Sequence, residues 1–369
     1  MKYYPEVFKI VSGALSGDRK MVIAYTELLC EKLNNDGENI ALRGFQEKLS
    51  TLNSSLLNSQ SAFARPVPVE KDNRFSLADR TFPSLDEQTI FLPKYEQEVI
   101  NSFVTYIDKK EQLNAMGIPI NSSLLLHGIP GTGKSKLAAN LAARLGLPLI
   151  TARADALISS YLGSTSKNIR SLLEYASSEP CVLFLDEFDA IAKARDDKNE
   201  IGELKRVVVS LLQSIDNLGE TILVAATNHV HLLDPAIGRR FHYKMELKAP
   251  VSEVRYQLFC KLIQKFNFTD TEIESFVILS DGLTGAEIEM ATFDYLRQTV
   301  VNGDRVEAIE LMRKILLSRY SWLSFQPEER FSSMERLFQI DSKLFSKKFI
   351  SQLWNMSQSN VSKIFKESN

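Results

Sequence analysis

The sequence predicts an α/β protein in which a mainly parallel five-stranded sheet carries helices on both faces, with further helical segments before and after it. Three observations predict this. From Leu124 onward, short apolar runs of strand character alternate with helical patterns, the arrangement that builds parallel sheets. The first of those runs ends in the glycine-rich turn HGIPGTGKS, which opens directly into the helical stretch KLAANLAARLG. On either side of this region apolar residues recur at spacings of three and four, the period of a helix.

Length and composition set the frame. A chain of 369 residues is long enough for two or three domains and for a sizeable core without covalent staples. With 44% hydrophobic and 24% charged residues, 16 Gly and 12 Pro, it is neither collagen-like nor a disordered chain. Its 44 basic and 46 acidic side chains leave a net charge of -2, so no global field draws it to nucleic acid or to an anionic membrane. Cys30, Cys181 and Cys260 are widely spaced and odd in number, which excludes a disulfide framework and a CxxC zinc site. The apolar runs, such as that around Leu223 to Ala226, fall well short of the ~20 residues of a membrane helix, and MKYYPEVFKI lacks a signal-peptide core. The expectation is a soluble, cytoplasmic protein.

Each element follows in order. Residues 1–57 read as a helical N-terminal domain: Val7, Ile10, Val11 and Ala14 form one stripe, and Met21, Ala24, Tyr25 and Leu28 a second after the turn Ser16-Gly17-Asp18. Leu42, Phe45, Leu49, Leu52 and Leu56 give a third, the seam of a helix that packs on another helix. Residues 58–93 are expected to be a linker, because RPVPVEKDNR and RTFPSLDEQ are rich in Pro, Ser and charge. The core is expected over 94–250, opening with a helix that ends at Gly117 and Pro119. Its strands are Leu124 to His127, Leu149 to Ala152, Val182 to Asp186, Ile222 to Ala226 and Tyr243 to Leu247. Ligands of such sheets bind beyond the carboxyl ends of the strands.

The chemistry-bearing motifs fall at those ends. HGIPGTGKS fits a phosphate-binding loop: Gly128, Gly131 and Gly133 let the backbone curl so that its N–H groups face phosphate oxygens, and the helix N-terminus adds partial positive charge. Within it lie Ile129, Pro130 and Thr132; Lys134 can reach the β- and γ-phosphates, Ser135 can ligate Mg²⁺, and Lys136 follows in the first helical turn. Fifty-two residues after Lys134 the strand CVLFLDEFDAI ends in Asp186, suited to the metal, and Glu187, suited to activating or positioning the attacking water. Asn228 at the end of another strand can orient that water. Arg239 and Arg240 sit in a turn with no helical stripe to serve, and permanently charged guanidinium groups suit the spread charge of phosphoryl transfer.

Taken together, residues from about Leu113 to Leu296 resemble an AAA-family ATPase of the AAA+ superfamily, with Walker A HGIPGTGKS, Walker B VLFLDE, sensor 1 ending at Asn228 and the second region of homology LDPAIGRRF. The resemblance implies a P-loop fold, ATP and Mg²⁺, and a homo-oligomeric ring, usually a hexamer, in which Arg239 and Arg240 act on the nucleotide of a neighbouring subunit. It implies a small helical lid over 251–302, where Gly285 and Ala286 of GLTGAEIEM approach the nucleotide. The segment ADALISSYLGSTSKNIRSLLEYA resembles the family's pore loop, which places Tyr161, Leu162 and Gly163 on its aromatic, hydrophobic and glycine positions. A ring of such aromatics would grip an extended protein substrate irrespective of sequence.

Residues 303–369 read as a helical tail. In KKFISQLWNMSQSNVSKIFKES the residues Ile350, Trp354, Met356, Val361 and Ile364 take the apolar spacing of a helix-turn-helix, with Asn355 at the turn and Ser357 as a cap. That leaves Gln358, Ser359, Asn360 and Lys363 outward as a DNA-reading face. The last thirty residues hold five Lys and two acidic residues, so this end is positive by three while the rest of the chain is negative by five. Two functions therefore compete: a ring motor that remodels or unfolds a protein, and a DNA-bound ATPase switch or loader. The architecture also resembles bacterial AAA ATPases encoded beside a subtilisin-like peptidase, which implies a separately encoded peptidase or other effector as partner, in phage defence or mobile-element biology.

Overall fold

The computed structural model describes residues 3–16, 19–38, 41–46, 67–69, 76–118, 120–153, 157, 162–192, 215, 221–233 and 235–367. The chain divides into two compact units. One comprises Met1–Ile90, Val99–His127 and Lys134–Glu246, and the other Phe91–Glu98, Gly128–Gly133 and Leu247–Asn369.

The first unit is built on a sheet of six strands, one more than the sequence predicts. They are β1 (Ala78–Thr81), β2 (Ser123–His127), β3 (Leu149–Ala152), β4 (Val182–Leu185), β5 (Ile222–Thr227) and β6 (Tyr243–Glu246), in the order β1-β3-β4-β5-β2-β6. Strands β2 to β6 are mutually parallel and coincide with the five expected from the sequence. The extra strand, β1, lies within the stretch expected to be a linker and pairs antiparallel with β3, from Ala78 opposite Ala152 to Thr81 opposite Leu149. It gives no alternating signal because only Ala78 of its four residues is buried. It is fixed instead by charge: Arg80 donates to both carboxylate oxygens of Glu179 at 2.7 and 2.9 Å.

The central strands are apolar on both faces. β2, β4 and β5 are buried over nearly their whole length, as expected of a parallel sheet covered by helices. One such covering helix, α5 (Lys134–Leu145 in chain order, after α1 Tyr4–Ser16, α2 Arg19–Asn35, α3 Lys94–Asp108 and α4 Lys110–Ala115), buries Leu137, Ala138, Leu141 and Ala142. Helices α1 and α2 belong to this same unit. Lys32 of α2 donates to the buried Glu6 carboxylate at 2.5 Å and to the Gly146 carbonyl at 2.7 Å. The N-terminal hairpin is therefore fastened beside the end of α5. The third predicted apolar stripe falls largely outside the described residues.

In the second unit, helices α9 (Ser252–Leu262), α10 (Asp270–Leu279), α11 (Gly285–Asn302), α12 (Ala308–Arg319), α13 (Arg330–Ile340), α14 (Lys347–Leu353) and α15 (Gln358–Glu367) follow α6 (Leu162–Ala176), α7 (Phe188–Ala192) and α8 (Pro235–Gly238) of the first. Two of them start on reciprocal caps legible as T-x-x-E in the sequence. Thr269 and Glu272 cap α10, and Thr284 and Glu287 cap α11. α11 stops at Gly303, whose φ of 72° is the left-handed conformation that closes a helix. One apolar core runs through all of these helices, from Phe259 and Phe276 to Leu311, Phe345, Ile350 and Val361, so the lid and the tail share it.

Phe276 is fully buried in that core, its ring 5.3 Å from Phe268 and 5.6 Å from Phe259. Phe276→Ala is expected to cost about 3–5 kcal/mol, read as a lowered denaturant midpoint of the transition that reports the second unit.

Candidate functional site

Three parallel strands in the first unit end side by side, and their register decides which residues emerge together. His127 of β2 lies opposite Thr227 of β5, and Leu185 of β4 lies opposite Ala225 of the same strand. The next residues along the chain are Asp186 and Glu187 after β4, and Asn228 after β5.

Lys134 and Ser135 open α5. The Ser135 hydroxyl donates to Asp186 Oδ2 at 2.9 Å, so the predicted hydroxyl and carboxylate meet. Lys134 is 8% exposed. Burial pulls its ammonium below the ordinary lysine pKa, opposed by the negative charges of Asp186 and Asp189. The other oxygen of Asp186, Oδ1, accepts the backbone N–H of Glu187 at 2.9 Å. Glu187 has a φ of 48°, uncommon for a residue with a side chain, and its own side chain is exposed. Asn228 Oδ1 is buried and finds no hydrogen-bond partner among the described residues.

Two residues not singled out from the sequence complete this group. The Thr227 hydroxyl donates to Asp189 Oδ1 at 2.8 Å and accepts the His229 N–H at 3.0 Å. The signal was present in the spacing D-E-x-D after the apolar strand, but a fourth residue in such a run reads equally as the solvated first turn of a helix.

The residues present fit Mg²⁺. A magnesium ion in nucleotide sites takes one or two protein oxygens and fills its remaining positions with water and phosphate. The paired oxygens of Ser135 and Asp186 supply that donor set, and the buried Asn228 Oδ1 keeps an unused acceptor among the described residues.

In the second unit the loop Gly128–Gly133 carries its glycines at φ values of 145° for Gly128, 80° for Gly131 and 95° for Gly133. At Gly128 a Cβ would lie 2.1 Å from the Leu247 carbonyl oxygen, so no other residue fits there. At Gly131 it would lie 2.9 Å from Thr284 Oγ1 and 3.1 Å from Ala286 Cβ. The Ala286 N–H donates to the Gly131 carbonyl at 3.1 Å, and Gly285 stands beside it, so the expected lid residues meet the loop directly. Thr132 Oγ1 donates to the Ile129 carbonyl at 2.9 Å, and Ile129 is exposed.

The remaining predicted residues lie elsewhere. Arg239 and Arg240 form the turn after α8; Arg239 is exposed, whereas Arg240 donates from Nη1 to the Ala236 carbonyl at 3.0 Å. Lys136 is half-buried in the first turn of α5. Tyr161 lies outside the described residues, and Leu162 and Gly163 open α6. In the tail, Asn355 has a φ of 51°, Ser357 Oγ accepts the Asn360 N–H at 3.3 Å, and Val361 is buried. Gln358, Ser359, Asn360 and Lys363 are exposed. None of the described helices is long and apolar enough to cross a membrane.

Gly128→Ala is expected to lower the thermal midpoint of the protein. The backbone conformation alone costs about 1–2 kcal/mol for a residue with a Cβ, and the clash with Leu247 adds to it. An unchanged midpoint in a thermal melt would show that the loop has another arrangement.

Comparison with known proteins gives the same assignment. Residues 124–249 match the family model described as ATPase family associated with various cellular activities (AAA). The chain is 39% identical over 212 residues to an uncharacterized AAA family ATPase, y4kL, of Sinorhizobium fredii, which covers 57% of this chain and 63% of that one. It is 36% identical over 187 residues to the 26S proteasome subunit RPT4 of Saccharomyces cerevisiae, covering 48% of this chain and 43% of the relative. A proteasome-activating nucleotidase of Haloferax volcanii is 34% identical over 225 residues, covering 58% and 55%. The matches thus span less than two thirds of each of these relatives. Strand order, glycine loop, paired Ser135 and Asp186, and the matched segment agree over the same stretch: residues 124–249 carry an AAA ATPase domain.

Proposed function

We propose that the protein hydrolyses ATP to ADP and phosphate and uses the cycle, in a homo-oligomeric ring, to remodel or unfold a protein substrate. The observation that carries the ATPase reading is the 2.9 Å hydrogen bond from Ser135 to Asp186, which brings the first turn of α5 to the carboxylate at the end of β4. The relatives named for the proteasome favour a protein as the substrate.

The residues take these roles. The N–H groups of the loop Gly128 to Gly133, Pro130 excepted, hold the phosphates, and the loop admits them because its glycines leave the backbone bare. Lys134 places its ammonium against the β- and γ-phosphates; partial burial strengthens that contact, since few waters compete for it. Mg²⁺, held by Ser135 and Asp186, supplies neutralisation of the charge that develops on the phosphate oxygens. Glu187 accepts a proton from the attacking water, and Asn228 Oδ1 accepts a second hydrogen bond from the same water and fixes its line of attack. Arg239 and Arg240 face the nucleotide of a neighbouring subunit in a hexameric ring. Arg239 is the principal finger, because Arg240 is engaged with the Ala236 carbonyl of its own turn. Gly285 and Ala286 couple the lid to the loop, and Tyr161, Leu162 and Gly163 grip the substrate chain.

A second reading has one observation in its favour: the exposed Gln358, Ser359, Asn360 and Lys363 of α15, whose opposite side buries Val361. In that reading the tail holds DNA and the ATPase acts as a switch or loader.

Glu187→Gln should keep ATP affinity and lose turnover by roughly 10²- to 10⁴-fold, measured as phosphate release beside nucleotide binding. Arginine fingers contribute about 10³- to 10⁵-fold in well-studied GTPases, so Arg239→Ala should nearly silence turnover, and mixing it with Glu187→Gln protein should restore part of the rate if fingers act across subunits. For the substrate class, an unfolded protein should stimulate turnover in the wild type and not in Tyr161→Ala. Stimulation by duplex DNA, unaffected by Tyr161→Ala, would select the second reading.

A further inference from the structure

We propose that Asp189 is a positioning residue, which through Thr227 locks the end of β5 to the turn that carries Glu187, so that Glu187 and Asn228 meet the same water at a fixed separation. This rests on the ATPase reading above and adds a part to it.

The Asp189 carboxylate accepts the hydrogen of Thr227 Oγ1 at 2.8 Å, a charge-assisted bond to a side chain that is 1% exposed. The Thr227 hydroxyl is used a second time, as acceptor for the His229 N–H at 3.0 Å. Both neighbours of Asn228 in the chain are therefore tied to one oxygen, which leaves the amide little freedom to drift from the end of β5. On the opposite side of this link, the Ala190 N–H donates to the Glu187 carbonyl at 2.8 Å, so Asp189 lies within the turn that Glu187 begins. Glu187 stands at a φ of 48°, a conformation that persists in a non-glycine residue only where its surroundings impose it. The Asp189 to Thr227 bond supplies such a constraint, and it is the contact between the two groups that would share the water. Displacement of a reacting group by about 1 Å can cost 10²-fold in rate.

Thr227→Val removes the hydroxyl at almost constant shape, and Asp189→Ala removes the acceptor; Thr227→Ser and Asp189→Asn keep a donor and an acceptor in place. Two readouts on the full chain test the link. In phosphate release, Thr227→Val and Asp189→Ala should each lose about 10- to 100-fold in kcat while ATP affinity stays within about threefold. Thr227→Ser and Asp189→Asn should recover most of that loss, and the Thr227→Val, Asp189→Ala double variant should be no worse than either single variant, as two ends of one contact require. In the nucleotide-free protein, amide exchange at His229 should quicken in Thr227→Val and not in Thr227→Ser.

Wild-type kcat in Thr227→Val, a loss confined to ATP affinity, or a serine variant as slow as the valine would each overturn the link while leaving the ATPase reading intact. A wild-type protein with no ATP turnover would overturn the ATPase reading instead, and His229 exchange would then decide the link alone, with equal rates in the valine and serine variants counting against it.

Discussion

The parallel pairing of β2, β4 and β5 is the constraint on which the rest of the site depends. Because His127 stands opposite Thr227 and Leu185 opposite Ala225, the three strands leave the sheet within two residues of each other. The loop that follows β2 then leads to Ser135, whose hydroxyl meets Asp186, and β5 delivers Asn228 to the same edge. A slip of one residue in any of these pairings would turn each side chain of that strand to the other face of the sheet. The strands are apolar on both faces, so polarity does not tell one register from the next, and the fit of the side chains packed above and below them does. The chemistry at the ends is polar and strained; the strands that place it are neither.

The part of the molecule that was legible in the sequence is the part built from strong, local signals. Five strands and the loop with its flanking strand and helix follow from residue types at short spacings. β1 was hidden, because Ala-Asp-Arg-Thr has neither alternation nor bulk, and its position comes from an ion pair with Glu179, about a hundred residues along the chain. The shared core of the lid and tail was hidden for a related reason. Each helix shows its apolar stripe, but nothing in a stripe says which other stripe it meets, and only the fold brings Val361 to the same core as Phe259. Asp189 was on view in the sequence and its role was not, since that role lies in a hydrogen bond to Thr227, 38 residues away.

The glycine loop shows how close approach and conformational strain can be resolved by one residue type. Gly131 combines a φ of 80° with a place where a Cβ would press on Thr284 and Ala286. Its carbonyl accepts the Ala286 N–H, so the start of α11 is attached to the loop by backbone atoms. The first N–H groups of a helix have no partner within the helix and need one outside it. Here Thr284 and Glu287 satisfy some of them, and Gly131 takes another. The loop and the capped start of α11 are thus held together by main-chain atoms.

The two arginines of the turn after α8 are placed differently from one another. Arg240 is held by its own turn, with its Nη1 on the Ala236 carbonyl and its backbone carbonyl accepting the hydroxyl of Ser123, the first residue of β2. Arg239, the residue before it, is exposed. The pair thus combines a guanidinium bonded within its own turn, on a residue whose carbonyl is tied to β2, with an exposed one at the residue before it. A charge that must reach into a neighbour's site needs exposure, whereas a charge that reports the state of its own sheet needs attachment. In this chain an exposed charge and an attached one fall on adjacent residues, so the strand that leads into the glycine loop and the exposed Arg239 are joined through a single turn.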